Sequence, residues 1–216
     1  VTTVQLLIGT GNAGKLREFA ELLADLPYTV VAPVDLGIDE DVAETGATFA
    51  ENALLKATWY ARRSGLLTLA DDSGLEVAAL NGAPGVYSAR FAGPGASDAE
   101  RNALLLERLR DVPWHARLAR FVCCIAIVAP DGRSETVTGV LSGVIERAPR
   151  GSGGFGYDPL FYLLDDDATL AEVPAARKNA ISHRAQAAAA AREVLRRWMV
   201  GDSTATGDQT TGEHRP

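Results

Sequence analysis

Val4-Gln5-Leu6-Leu7-Ile8-Gly9-Thr10-Gly11-Asn12-Ala13-Gly14-Lys15 opens on a short apolar run and closes on a glycine cluster. The run reads as a buried strand, ended where the glycines begin. Beyond Lys15 the apolar residues Leu16, Phe19, Ala20, Leu22, Leu23 and Leu26 recur at helical spacing, and Pro27 stops the pattern. Strand, glycine loop and helix in that order is the opening unit of an α/β fold.

Working outward, residues 28–33 read as a second strand, and residues 48–64 again show helical periodicity with Gly65 as the stop. Residues 66–70 form a buried strand that runs into Asp71-Asp72-Ser73-Gly74, read as an acidic turn. Ser97 or Asp98 caps a helix reaching Arg110, with Pro113 beyond it. Two β-rich runs, 121–129 and 135–145, flank Pro130-Asp131-Gly132, which is a hairpin signal and implies antiparallel pairing. The expected class is therefore α/β with a mixed sheet. Residues 151–156 are a glycine-rich loop, and Ser182 caps a last, alanine-rich helix to Trp198. Residues 201–216 are polar with almost no apolar anchor and read as a disordered tail behind a single domain of residues 1–200.

Composition narrows the field. A 216-residue chain can bury a core without covalent staples, and 47% hydrophobic with 23% charged residues excludes general disorder. The formal charge of -7 disfavours broad binding to nucleic acid or an anionic membrane, while leaving room for a small anion in a local basic pocket. No apolar run approaches the roughly 20 residues that span a bilayer, and the start of the chain lacks a signal-peptide pattern, so the expected location is the cytoplasm. Cys123 and Cys124 are neighbours in an apparent strand, point to opposite faces, and read as core thiols in a reducing compartment.

Gly9 to Lys15 matches a phosphate-binding P-loop until the next position, where Leu16 stands in place of the Ser or Thr that would hold magnesium. What survives is an anion site of backbone amides, a helix dipole and the Lys15 charge. A tight strand-to-helix turn capped by Asn12 would use the same residues. Asp71 and Asp72 repel one another unless a cation is near, and magnesium with one or two of these acids plus triphosphate oxygens would relieve them. Glu44 is a candidate second ligand; an Asx-turn before Gly74 is the simpler alternative. In Gly153-Gly154-Phe155-Gly156-Tyr157-Asp158-Pro159 the rings can stack on a base and Asp158 can accept from it, or the loop can merely cover the core. Lys178, His183 and Arg184 flank the last helix start, where positive charge opposes the dipole. Arg184 could donate to a purine O6, favouring 6-keto bases, or the cluster could make surface ion pairs, for example with Glu172.

Six blocks in order resemble the inosine triphosphate pyrophosphatase family, also called Ham1-like: Thr10 to Lys15, Thr48-Phe49-Ala50-Glu51-Asn52-Ala53, Ala70-Asp71-Asp72-Ser73-Gly74-Leu75, Gly82-Ala83-Pro84-Gly85-Val86-Tyr87-Ser88-Ala89-Arg90, Gly153 to Pro159, and Ile181-Ser182-His183-Arg184. The resemblance implies an elongated two-lobed fold around a long central sheet with flanking helices, a nucleotide in the cleft between lobes, Mg2+ as cofactor and a homodimer. It implies that Thr10, Gly11, Asn12, Ala13, Gly14 and Lys15 hold phosphates, with Lys56 a further candidate. Asp72 would be the catalytic acid-base residue and, with Glu44, a metal ligand, while Ser73 touches substrate. Phe155, Gly156, Tyr157, Asp158, Lys178, His183 and Arg184 would recognise the base. The implied reaction releases pyrophosphate and a monophosphate from ITP, dITP or XTP. A P-loop kinase and a non-enzymatic nucleotide sensor are the competing readings; Leu16 argues against the first, and the second has no need of a metal-holding acidic segment.

Overall fold

The computed structural model describes residues 4–40 and 42–205. Strand β1 (Val4–Ile8) leads through the glycine loop into helix α1 (Ala13–Leu22), and β2 (Tyr28–Val31) returns parallel to β1. Helix α2 (Phe49–Ser64) begins in a reciprocal cap: Thr48 Oγ1 accepts the Glu51 N–H, and Glu51 reaches back to the Thr48 N–H. Gly65 ends it, as its spacing predicts. Strand β3 (Leu67–Val77) then lies parallel to β1 on the side away from β2.

Ser97 caps α3 (Asp98–Arg108), which precedes the long hairpin of β4 (Leu118–Val128) and β5 (Ser134–Ile145). Short strands β6 (Phe161–Leu163) and β7 (Ala168–Thr169) complete a seven-stranded sheet in the order β2-β1-β3-β4-β5-β6-β7. All pairings from β3 to β7 are antiparallel, so the sheet is mixed, as the hairpin signal implied. Helices α4 (Ala175–Ile181) and α5 (His183–Ala205) close the described chain. Ser182 does cap the last helix, through an N–H bond from Ala185, but that helix continues past Trp198 to Ala205. The first part of the expected tail is thus helical, and residues 206–216 lie outside the described residues.

One expectation is overturned. Asp71-Asp72-Ser73-Gly74 is the middle of β3, with each residue paired to β4, and forms no turn. The reason is tertiary: an eleven-residue strand with an antiparallel partner at every position from Thr68 to Val77 outweighs the local turn preference of Asp, Ser and Gly.

Two hydrophobic clusters share the long strands. Leu69, Ile125 and Ile127 belong to one, with Phe19 of α1 and Ala187, Ala191 and Leu195 of α5. Leu75, Val77 and Phe121 belong to another, with Leu105 and Leu109 of α3 and Phe161 of β6. Asp71, Asp72 and Ser73 lie on β3 between these clusters, where apolar packing gives way to polar residues. A third cluster, including Phe49, Ala53 and Ala57, lays α2 against the opposite face of β3 and β4. The N-terminus of α5 sits directly on β5: a Cβ at Gly139 would stand 2.1 Å from the His183 carbonyl oxygen and 2.4 Å from the Ala187 nitrogen. Only glycine permits that approach, which fixes where His183 and Arg184 begin.

Candidate active site

A cleft of about 490 Å³ runs along the carboxyl end of β1 and the middle of β3. Thr10, Gly11, Asn12 and Lys15 line one part of it, Glu44, Lys56, Asp72 and Ser73 the next, and Phe155, Gly156, Tyr157, Asp158, Lys178, His183 and Arg184 the far part. Residues more than 160 positions apart in the chain therefore meet on one surface. Ala13 and Gly14, which the family resemblance had put on the phosphates, are outside the wall.

The glycine loop is capped from within. Asn12 Oδ1 accepts the N–H groups of Gly14 and Lys15 at 2.8 and 3.1 Å, and the Asn12 N–H donates to Thr10 Oγ1 at 3.1 Å. The capping alternative thus holds, and it takes two of the amides expected to face an anion. Positive charge at this end comes from the side chain of Lys15 and from the helix dipole.

Alternation along β3 sends the adjacent aspartates to opposite faces of the sheet. Asp71 faces α1 and α5, where Lys15 Nζ lies 2.8 Å from its Oδ2 and the Ser73 hydroxyl donates to the same oxygen at 3.1 Å. Burial works against its charge, but Lys15, Arg184 and Lys56 outweigh burial and hold the carboxyl at about 2. Asp71 is thus a fixed anion among cations. Asp72 faces α2, where Asn52 Nδ2 donates to its Oδ2 at 2.9 Å and the Ser73 N–H to its Oδ1 at 2.9 Å. Burial pushes Asp72 upward, Lys56 and Asn52 pull against that, and nearby Glu44 adds to the rise. The two acids have been sorted by face into an ion-pair partner and a more basic, buried carboxylate.

Lys56 lies between acids, with its Nζ 2.5 Å from Glu44 Oε1 and its charge stabilised by Asp71, Glu44 and Asp72 against the cost of burial. Arg90 approaches Glu44 from outside at 3.8 Å. Among the described residues no group of three or more His, Cys, Asp or Glu side chains is gathered to hold a metal. Glu44 and Asp72 nevertheless share the cleft wall, and the Glu44 charge adds to the rise in the proton affinity of Asp72. Two hard carboxylates and no more suit Mg2+, which keeps several waters and takes remaining ligands from phosphate oxygens. The residues present fit that ion, with Asp71 excluded from the set by its orientation.

At the far part, Phe155 is 53% exposed and offers its ring to the cleft, with Lys178 Nζ 4.6 Å and the Arg184 guanidinium 5.6 Å from its centroid. Asp158 is tied down by Lys178 at 2.6 Å and by the Phe155 N–H at 2.9 Å. The Gly156 peptide is gripped at both ends by α3: its N–H donates to Asp98 at 2.7 Å and its oxygen accepts from Asn102 at 3.0 Å. The Tyr157 hydroxyl donates to the Ser88 carbonyl at 2.8 Å, and burial raises that phenol to about 12, so it remains a donor. Tyr157 is buried, so only Phe155 of the two aromatics presents an open face.

His183 is buried and stacked on Phe121 at 4.9 Å. Burial and the adjacent Arg184 hold its imidazole neutral, well below the usual histidine range. Arg184 is also buried; burial disfavours its charge, but Asp71 and Glu18 outweigh that, and Nη1 is bonded to Glu18. Its partner is thus Glu18 of α1, and the surface-pair alternative with Glu172 fails because Glu172 binds Arg150. Sequence reading missed Glu18, Asn52, Asp98 and Asn102 as site supports. Helical spacing could have flagged Glu18, one turn beyond Lys15 on α1.

A cationic floor, a carboxylate wall and an exposed ring in one groove suit a phosphorylated nucleotide, and on this mixed sheet they define a nucleotide-handling α/β protein. The chain belongs to the Ham1 family, whose model matches residues 6–194. It is 51% identical over 191 residues to a dITP/XTP pyrophosphatase of Geobacter sulfurreducens, covering 88% of this chain and 96% of that protein. A dITP/XTP pyrophosphatase of Desulforamulus reducens is 51% identical over 197 residues, covering 91% and 98%. The solved structure of a HAM1 protein from Coxiella burnetii superposes with a TM-score of 0.84 at 44% identity, covering 90% of this chain and 99% of that one.

Proposed function

We propose that this protein is a magnesium-dependent nucleoside triphosphate pyrophosphatase that converts ITP, dITP or XTP and water to the nucleoside monophosphate and pyrophosphate. The observation that carries the reading is that Lys15, Asp72 and Arg184, from three distant segments, line one cleft. The names of the relatives support the same chemistry.

In this reading Thr10, Gly11, Asn12 and Lys15 hold the polyphosphate, and Lys56 neutralises charge that grows on its oxygens as the phosphoanhydride bond breaks. Mg2+ held by Glu44 and Asp72 would supply charge neutralisation and a more acidic water. Asp72, with its proton affinity raised by burial, accepts the proton of the attacking water. Ser73 steadies the site through Asp71. Phe155 stacks on the base, while Arg184, Lys178 and Asp158 face its edge, so that a 6-keto purine oxygen accepts from Arg184 and an adenine amino group, itself a donor, does not. His183, held neutral, braces the start of α5 against Phe121.

We further read residues 1–200 as one two-lobed domain acting in the cytoplasm as a homodimer, without nucleic acid or membrane partners. Light scattering tests the dimer. Incubation with ITP and Mg2+ tests the activity: pyrophosphate with IMP supports it, whereas orthophosphate with IDP, or no product, defeats it.

A further inference from the structure

We propose that Asn52 is a positioning residue that fixes Asp72 relative to the loop carrying Glu44; the proposal rests on the pyrophosphatase reading above. Asn52 lies in the first turn of α2 and is 0% exposed. It is not part of the cleft wall, so it acts only through what it holds.

A buried amide must satisfy both of its ends, and here they go to different segments. Its Oδ1 accepts the Gly46 N–H at 2.8 Å, and its Nδ2 donates to Asp72 Oδ2 at 2.9 Å. Those partners fix its sense. A flipped amide would set an NH2 against the Gly46 N–H and an oxygen against a carboxylate, losing both bonds. With Asp72 Oδ1 accepting the Ser73 N–H, both carboxylate oxygens are tied and the plane of the group is set.

The loop is held as firmly. A Cβ at Gly46 would stand 2.8 Å from Asn52 Oδ1 and 2.7 Å from Glu51 Cβ, so glycine is what lets the loop close on the amide. Glu51 Oε2 takes the next N–H groups, from Ala47 at 2.7 Å and Thr48 at 3.1 Å. Three consecutive amides are thereby anchored to the first turn of α2, immediately after the segment that carries Glu44. Among the described residues Asn52 is the hydrogen-bonded link from this anchored loop to Asp72, so it sets the spacing of the two carboxylates.

Asn52→Asp keeps the side-chain shape and the acceptor for Gly46, but sets a second buried carboxyl oxygen against Asp72 in place of the donor. The wild-type protein must release pyrophosphate from ITP in the same assay; if it does not, the functional reading fails whatever Asn52 does. Given that activity, Asn52→Asp is expected to lower the melting temperature through the added buried acid, to keep KM within about threefold, and to lower kcat of the folded protein about 10- to 100-fold. Asn52→Ser, too short to reach Asp72, is expected to weaken Mn2+ binding about tenfold by calorimetry without nucleotide; it also carries the kcat test if the aspartate variant does not fold. A merely structural role would lower the melting temperature and leave kcat of the folded protein and Mn2+ affinity unchanged. Wild-type kcat in a folded variant, or wild-type Mn2+ affinity in Asn52→Ser, overturns the proposal.

Discussion

Lys15 and Asp71, 56 positions apart, form an ion pair at 2.8 Å that joins the start of α1 to the centre of β3. The aspartate is almost wholly buried and has Arg184 and Lys56 as further neighbours, so it anchors the positive charge of the whole cleft. Its oxygen Oδ1 has no hydrogen-bond partner among the described residues.

Asp71→Asn should therefore destabilise the fold and weaken substrate binding together. Removing the anion leaves buried cations uncompensated, a change that typically costs about 3 to 5 kcal/mol. Urea denaturation checks the first effect, and KM for ITP, expected to rise, checks the second.

Asp72→Asn should remove turnover, because the amide keeps the shape but cannot take a proton, and should cost about 1 to 3 kcal/mol of stability, because its NH2 must face one of the two donors from Asn52 and Ser73. A loss of roughly 100- to 10,000-fold in kcat is expected, with ITP affinity in the inactive variant close to that of the wild type by calorimetry. Normal turnover would remove Asp72 from the chemistry.

Stability should fall with acid in two stages. His183 is neutral in the fold, with its proton affinity well below the ordinary 6.5. The unfolded imidazole gains a proton as pH falls through that value while the buried one does not, so stability starts to drop there. Asp71 is held at about 2 against an ordinary 3.8; its contribution is complete above the ordinary value and is lost as pH falls toward 2, at about 2 kcal/mol. Denaturation midpoints across this range give the profile, and His183→Gln should flatten the upper stage alone.

Arg184→Ala should narrow the difference in kcat/KM between ITP and ATP by about tenfold or more if, as proposed, its guanidinium is the donor set against the 6-position of the base. Equal loss for both nucleotides would assign Arg184 to fold support through Glu18 instead.

How much of this was legible in the sequence depended on whether local signals and tertiary pairing agreed. The β1 to α1 unit, the helical periodicity of residues 48–64, the Gly65 stop and the β4 to β5 hairpin were all readable, because each carries its own periodicity or turn chemistry. Asp71 to Gly74 misled because those residue types favour turns, and only the pairing with β4 reveals a strand. Helix α4 and strands β6 and β7 are too short for periodicity to register. In the site, the resemblance brought Lys15, Asp72 and Arg184 to one place, but the division of labour between Asp71 and Asp72 needed the strand alternation. Asn52 stood inside a recognised block, yet nothing local marks an amide whose partners are 6 and 20 positions away.

The strands β3, β4 and β5 supply a wall to each of the two large apolar clusters. Neither end of the molecule owns a complete interior, so neither can come apart while the other persists. Heat should melt the protein in one concerted transition, and the groove between the ends, built on the shared strands, inherits the rigidity of the whole rather than the looseness of a hinge.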